Sequence, residues 1–153
     1  MLLGVGNPLR CDDGAGNRVA GNFRRHGWIS VDGGTAPENF TGLIRREHPD
    51  TLVIVDAADL GEAPGSVRVI PASRIEDTGI GTHMLPLHHL LAYLKPVVGE
   101  IFVIGIQPAI VTSGETLSPA VERAVARLAE QLASDEWRKI PWLDDRPPRA
   151  TDA

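Results

Sequence analysis

The chain has 153 residues, 42% of them hydrophobic and 23% charged, a length and balance that fit one domain with a sizeable core of its own. No apolar run approaches the ~18 residues of a membrane span, and the balance also excludes a disordered chain and a coiled coil. Fifteen Lys and Arg against 20 Asp and Glu give a formal net charge of −5, which excludes the cationic surface that nucleic-acid binding needs.

Leu2 to Val5 is a short apolar run stopped by Gly6-Asn7-Pro8, as in a buried strand. Asp12 or Asp13 is placed to cap a following helix over Ala15, Val19 and Phe23. Trp28 to Val31 is a second strand, broken by Asp32-Gly33-Gly34. Thr35 and Glu38 have the spacing of a capping box opening a helix that turns Phe40, Leu43 and Ile44 inward and stops near Pro49. Thr51 to Val55 is the clearest strand, continuous and β-branched, and it ends at Asp56. Ser66 to Ile70 alternates as a further strand. Leu87, Leu90, Leu91 and Leu94 mark a helix face. Ile101 to Ile104 is another buried strand, and Ser118-Pro119 opens a last helix with Val121, Val125, Leu128 and Leu132 inward.

Strands alternating with helices predict an α/β fold, a three-layer sandwich around a mostly parallel twisted sheet. One domain is expected over residues 1–134, with 135–153 as a polar, flexible tail. The single cysteine, Cys11, permits no internal disulfide, and the N-terminus lacks the basic and long apolar regions of a signal peptide. Cytoplasm, a monomer and no membrane or nucleic-acid partner are therefore expected. Arg24-Arg25 and Arg45-Arg46 are short enough to be solvated helix faces.

Ligands of an open parallel sheet bind beyond the carboxyl ends of its strands. Those ends are followed here by Gly4, Gly6, Asn7, Asp12 and Asp13, by Asp32 to Gly34, by Asp56 and Asp59, and by Gly105-Ile106-Gln107-Pro108. Gly4-Val5-Gly6 invites a dinucleotide reading, but the third glycine of that motif falls on Leu9 and Pro8 interrupts the turn. A mixed oxygen and nitrogen metal site fits better, with Asp13, Asp56 and His83 as the trio and a position left open for water or substrate. An isolated Asp is more often a cap, so the trio is only suggested at this point.

In this order and spacing, Gly4-Val5-Gly6-Asn7, Asp12-Asp13-Gly14, Asp32-Gly33-Gly34-Thr35-Ala36-Pro37-Glu38-Asn39, Val53 to Ala57, Thr82-His83-Met84-Leu85-Pro86-Leu87 and Gly105 to Pro108 resemble the hydrogenase maturation endopeptidases. The segments from Asp32, Thr82 and Gly105 look most like the formate-hydrogenlyase-type branch. The resemblance implies a protease that trims the C-terminal extension of a nickel–iron hydrogenase large-subunit precursor after nickel insertion. It implies nickel, supplied by the substrate, as the metal met by Asp13, Asp56 and His83, with Zn or Cd able to take the same site. It associates Asp32, Gly33 and Gly34 with substrate recognition, and Gln107 is a further candidate for orienting the peptide.

Asp13 is the candidate for an added acid/base role, because a like charge at Asp12 raises a carboxyl. Aspartic-type, metal-dependent hydrolysis is expected, and no serine elbow is present. Asp59 competes with Asp56 for the metal, and position after the apolar run favours Asp56. Cys11 reads as a small loop residue. His88 and His89, adjacent on a helix, point about 100° apart and do not chelate jointly. His26 and His48 lie at helix ends, and Trp28, Trp137 and Trp142 are expected in packing. Two other readings are a non-catalytic nickel-sensing escort and a nucleotide-binding module.

Overall fold

The computed structural model describes residues 1–79 and 86–144. Five strands, β1 (Leu2–Gly4), β2 (Ser30–Asp32), β3 (Thr51–Ala57), β4 (Val67–Val69) and β5 (Glu100–Ile106), form one sheet in the order β2-β1-β3-β5-β4. All neighbours are parallel except β4, which runs antiparallel to β5. Four helices, α1 (Ala15–Asn22), α2 (Thr41–Glu47), α3 (Leu87–Leu94) and α4 (Pro119–Leu132), cover the two faces. Every strand and helix expected from the sequence is present, to within a few residues.

Two apolar cores separate cleanly. Leu2, Val53, Val55, Ile104 and Ile106 face α1 and α4 through Ala15, Val19, Val121, Val125, Leu128 and Leu132. Leu3, Leu52, Ile54 and Val103 face α2 and α3 through Ile44, Leu87, Leu90 and Leu94. β3 lies at the centre with both faces covered, which is why its sequence is apolar without alternation. The order reverses direction between β1 and β3, because β1 sends its chain out to β2 and β3 sends its chain the other way. Such a switch point leaves a crevice at the carboxyl edge. Among the described residues no helix is long and apolar enough to cross a membrane.

Three local expectations are corrected. Neither Asp12 nor Asp13 caps α1; both lie in a 3-10 turn, Cys11–Gly14, and the N-cap is Gly14. The capping box at Thr35 and Glu38 does not form, because a 3-10 turn over Pro37–Phe40 starts from Ala36 and delays α2 to Thr41. The domain does not end at 134. A 3-10 turn over Asp135–Lys139 places Trp137 in the core at 1% exposure, with Ile140 and Leu143 also buried. Trp137 meets the Phe102 ring edge to face at 5.0 Å, and the Arg138 guanidinium lies 4.6 Å over its centroid. The packing expected of Trp137 is met, but one aromatic residue in a polar stretch carries no periodicity, so the sequence did not show that the domain extends to it.

The segment also finishes the sheet. Val69 donates its N–H to Pro141 and accepts from Leu143, a parallel bridge on the outer side of β4. Trp142 is 57% exposed, whereas Trp28 is partly buried beside Phe23. Trp137→Ala is expected to cost about 3–5 kcal/mol in chemical denaturation, whereas a mobile tail would lose nothing.

Candidate functional site

The carboxyl edge is built by close backbone approach. A side chain at Gly16 would lie 2.2 Å from the Val55 carbonyl oxygen and 2.4 Å from that of Val5, and one at Gly4 would lie 2.2 Å from the Gly16 carbonyl oxygen. Glycine at both positions lets the first turn of α1 press on the ends of β1 and β3. Gly6, at φ +148°, meets the carbonyl of Asp13 in the same way. The Gly4-Val5-Gly6 motif is thus a packing device here, with helix backbone in the space that a pyrophosphate reading assigned to ligand. Asn7 donates its N–H to the Asp13 carbonyl at 3.1 Å, closing the turn.

This contact brings two acids together. β1 ends opposite Val55, one residue before Asp56, so Asp56 stands at the lip of the crevice. Asp56 is 2% exposed, and its Oδ1 is buried with no hydrogen-bond partner. Burial and the nearby Asp13 charge push its carboxyl well above the ordinary carboxylate range, against the hydrogen bond from Ala57. Asp13 is half-buried on the turn that packs against β3. Like-charge coupling was expected between Asp12 and Asp13, but here it runs from Asp13 to Asp56.

Asp12 points elsewhere. It is fully buried, and its carboxylate accepts from the N–H groups of Ala109 and Ile110 at 2.9 Å and of Ser118 at 2.7 Å, and from the Ser118 hydroxyl at 2.8 Å. Burial alone would raise this carboxyl, but the hydrogen bonds outweigh it and hold the group below its ordinary value. Asp12 is a buried strut between the first loop and the start of α4. Ser118 is the N-cap residue of α4, as expected, but its hydroxyl serves Asp12 rather than the helix.

The Asp32 turn is strapped to the same edge. Gly33 donates its N–H to Gly4 at 2.7 Å, and Gly6 donates to Gly34 at 2.9 Å. Asp32 accepts from Asn17 Nδ2 at 2.7 Å and from the Gly34 N–H. Gly34 has φ +55°, a conformation that favours glycine. Asn17 was missed in the sequence. The available signal was a polar residue between Ala15 and Val19 on the buried side of a short helix. Its Oδ1 is buried with no partner, next to Gly6.

Gln107 Oε1 accepts from the Leu60 N–H at 2.6 Å, so this side chain anchors the loop after β3. Asp59 is exposed and accepts from Gly61, leaving Asp56 as the acid inside the crevice. Cys11 is a free, half-buried loop residue at φ +52°. His88 pairs with Glu76 at 3.3 Å and His89 is exposed. His48 is the C-cap residue of α2.

His83, in the segment 80–85, lies outside the described residues. Its flanks are placed. The Thr78 carbonyl accepts from the Asp59 N–H at 3.0 Å, and Leu87 is buried at the start of α3. Because β5 runs parallel to β3, the helix that leads into it starts at the carboxyl edge. Among the described residues no group of three His, Cys, Asp or Glu side chains could hold a metal ion. The Asp13–Asp56 pair nonetheless suits a cation, which would satisfy the orphaned Oδ1 and cancel the repulsion between the carboxylates.

A doubly wound α/β sandwich with an acid pair at its switch point defines the class. Comparison with known proteins defines the family. The family model described as hydrogenase maturation protease (HycI) matches residues 17–135. The chain is 39% identical to the hydrogenase 3 maturation protease of Escherichia coli K12 over 136 residues, 86% of this chain and 87% of that protein. The solution structure of the endopeptidase HycI from Escherichia coli superposes with a TM-score of 0.85 at 35% identity, covering 96% of this chain and 97% of the other. The crystal structure of HycI, a NiFe hydrogenase maturation protease from Thermococcus kodakarensis, does so with a TM-score of 0.76 at 30% identity, covering 90% of each chain. The chain belongs to the hydrogenase maturation protease family, and it is a hydrolase.

The two carboxyls predict opposite responses to pH. Asp56, raised in the folded state, favours folding at low pH and loses that contribution as pH rises through its folded value. Asp56→Asn is therefore expected to raise the thermal midpoint at pH 7, by about 2 °C or more, and to give less gain near pH 4. Asp12, lowered in the folded state, contributes above its unfolded value and loses that contribution in acid. Asp12→Ala leaves buried donors unpaired and is expected to cost about 3 kcal/mol at pH 7, with a smaller difference near pH 2. Thermal melts across pH check both.

Proposed function

We propose that this chain removes the C-terminal extension from the large-subunit precursor of a nickel–iron hydrogenase once nickel is in place. The family supports the protein substrate, and the observation that carries the nickel reading is the orphaned Asp56 Oδ1 beside Asp13. Nickel belongs to the substrate and arrives with it. Asp13, Asp56 and His83 complete its coordination, so a nickel-free precursor lacks its anchor. Bound there, the metal supplies a Lewis acid near the scissile carbonyl.

The chain's own residues do the positioning. Burial and the Asp13 charge raise the Asp56 carboxyl, so a cation reaching its oxygens competes with a proton there. Asp13, half-buried and next to it, is the group with access to an attacking water, and we assign it the aspartic-type role. The turn at Asp32, Gly33 and Gly34, held by its own hydrogen bonds to Gly4 and Gly6, lies at the same edge, and we assign it to substrate recognition, with Gln107 behind the neighbouring loop. The lone cysteine supports a reducing, cytoplasmic setting.

The test is incubation of the chain with nickel-loaded and nickel-free precursor. Loss of a C-terminal peptide from the loaded form alone is expected, read by mass spectrometry. Asp13→Asn, Asp56→Asn and His83→Ala are each expected to lower processing at least about 100-fold without unfolding the chain. Cleavage of both forms alike removes the nickel anchor, and binding without cleavage favours an escort. Binding of Zn²⁺ or Cd²⁺ to the free chain is expected to strengthen from pH 5 to 8 and to release a proton, measured by calorimetry in two buffers. Loss of the proton release in Asp56→Asn identifies its source.

A further inference from the structure

Three large aliphatic side chains stand in solvent on the loops that flank the acid pair. Leu9 is 61% exposed, Ile110 50% and Val111 36%. They lie on two segments far apart in sequence, after β1 and after β5, and neither segment is loose. Leu9 accepts from the Gly114 N–H at 2.9 Å, Cys11 donates to the Gly114 carbonyl at 2.7 Å, and Asp12 donates to the Ile110 carbonyl at 3.0 Å. From below, the buried Asp12 carboxylate binds Ala109, Ile110 and Ser118. Two backbone irregularities shape the crossing, Cys11 at φ +52° and Gly114 at φ +151°. A side chain at Gly114 would lie 2.8 Å from Cys11 Sγ.

Exposed aliphatic residues scattered singly need no explanation. These are gathered on a braced backbone, and the turn that carries Asp12 carries Asp13 as its next residue. We propose that Leu9, Ile110 and Val111 form an apolar platform that seats aliphatic side chains of the precursor segment next to the scissile bond. Asp12 is a positioning residue, holding the two loops in register beside Asp13. The occupant is the protein substrate rather than a second copy, because the Ile110 carbonyl is bonded to the Asp12 N–H on the turn that carries Asp13, which sets the platform beside the acid where the chain to be cut must lie. This inference rests on the processing function proposed above and adds what that site selects.

The experiment measures processing kinetics on the nickel-loaded precursor. Wild-type turnover comes first; a wild-type chain that leaves the precursor uncut overturns the function, and the platform with it. Given turnover, the double variant Leu9→Ser/Ile110→Ser is expected to raise KM at least about tenfold. Its kcat should stay within about twofold, and its thermal midpoint and Cd²⁺ affinity should match the wild type. The aliphatic variant Leu9→Met/Ile110→Val should restore KM. Tyr93→Ser, which removes an apolar ring 51% exposed on α3, should leave KM unchanged. An unchanged KM in the double variant overturns the platform. So does a KM rise matched in Tyr93→Ser, or a wild-type dimer that the double variant breaks without altering KM.

Discussion

The site depends on helix backbone lying directly against strand backbone. The carbonyls of Val5 and Val55 leave no room for a side chain at Gly16, and the Gly16 carbonyl leaves none at Gly4. This contact, rather than a side-chain core, fixes where α1 begins. The turn at Asp13 is therefore fixed relative to the end of β3. A larger residue at either glycine would push α1 outward and separate Asp13 from Asp56 without altering either acid. The crevice at the switch point would then keep its topology and lose its chemistry.

Asp12 and Asp13 show how adjacent residues of one type take different work. Asp12 turns inward and meets four donors, so its charge is satisfied and its role is mechanical. Asp13 is near enough for its charge to raise the Asp56 carboxyl, which has a buried oxygen and no donor for it. A satisfied carboxylate has little left to offer a cation, whereas an unsatisfied pair is repelled until one arrives. Retaining such a pair weakens the empty fold, the usual cost of a site ready for a charged ligand.

Much of this was legible in the sequence, for reasons that can be named. β3 and β5 show as apolar runs because both faces of the sheet are covered, and α4 shows because one side of a long helix is buried. The strand ends followed by acids placed Asp13, Asp32 and Asp56 on one edge. What stayed hidden depended on contacts between distant segments. Nothing local distinguishes Asp12 from Asp13, since the donors that capture Asp12 lie about a hundred residues later. The Thr35–Glu38 spacing suggested a cap, but Pro37 begins a 3-10 turn in its place. Asn17 escaped notice because a single polar residue in a helix has no period, and Trp137, though expected in packing, did not mark the domain's extent because a single indole in a charged stretch has none either.

The bridge between β4 and the segment after Trp137 bears on how the molecule behaves in company. A three-residue strand at the rim of a sheet offers free amide and carbonyl groups to any passing chain. Here Val69 has both of its outward groups occupied by Pro141 and Leu143. At Val69 the rim is covered by the protein's own segment Pro141 to Leu143, which occupies the groups that strand addition would use. At this point the sheet's rim is thereby closed to pairing with the strands of another chain.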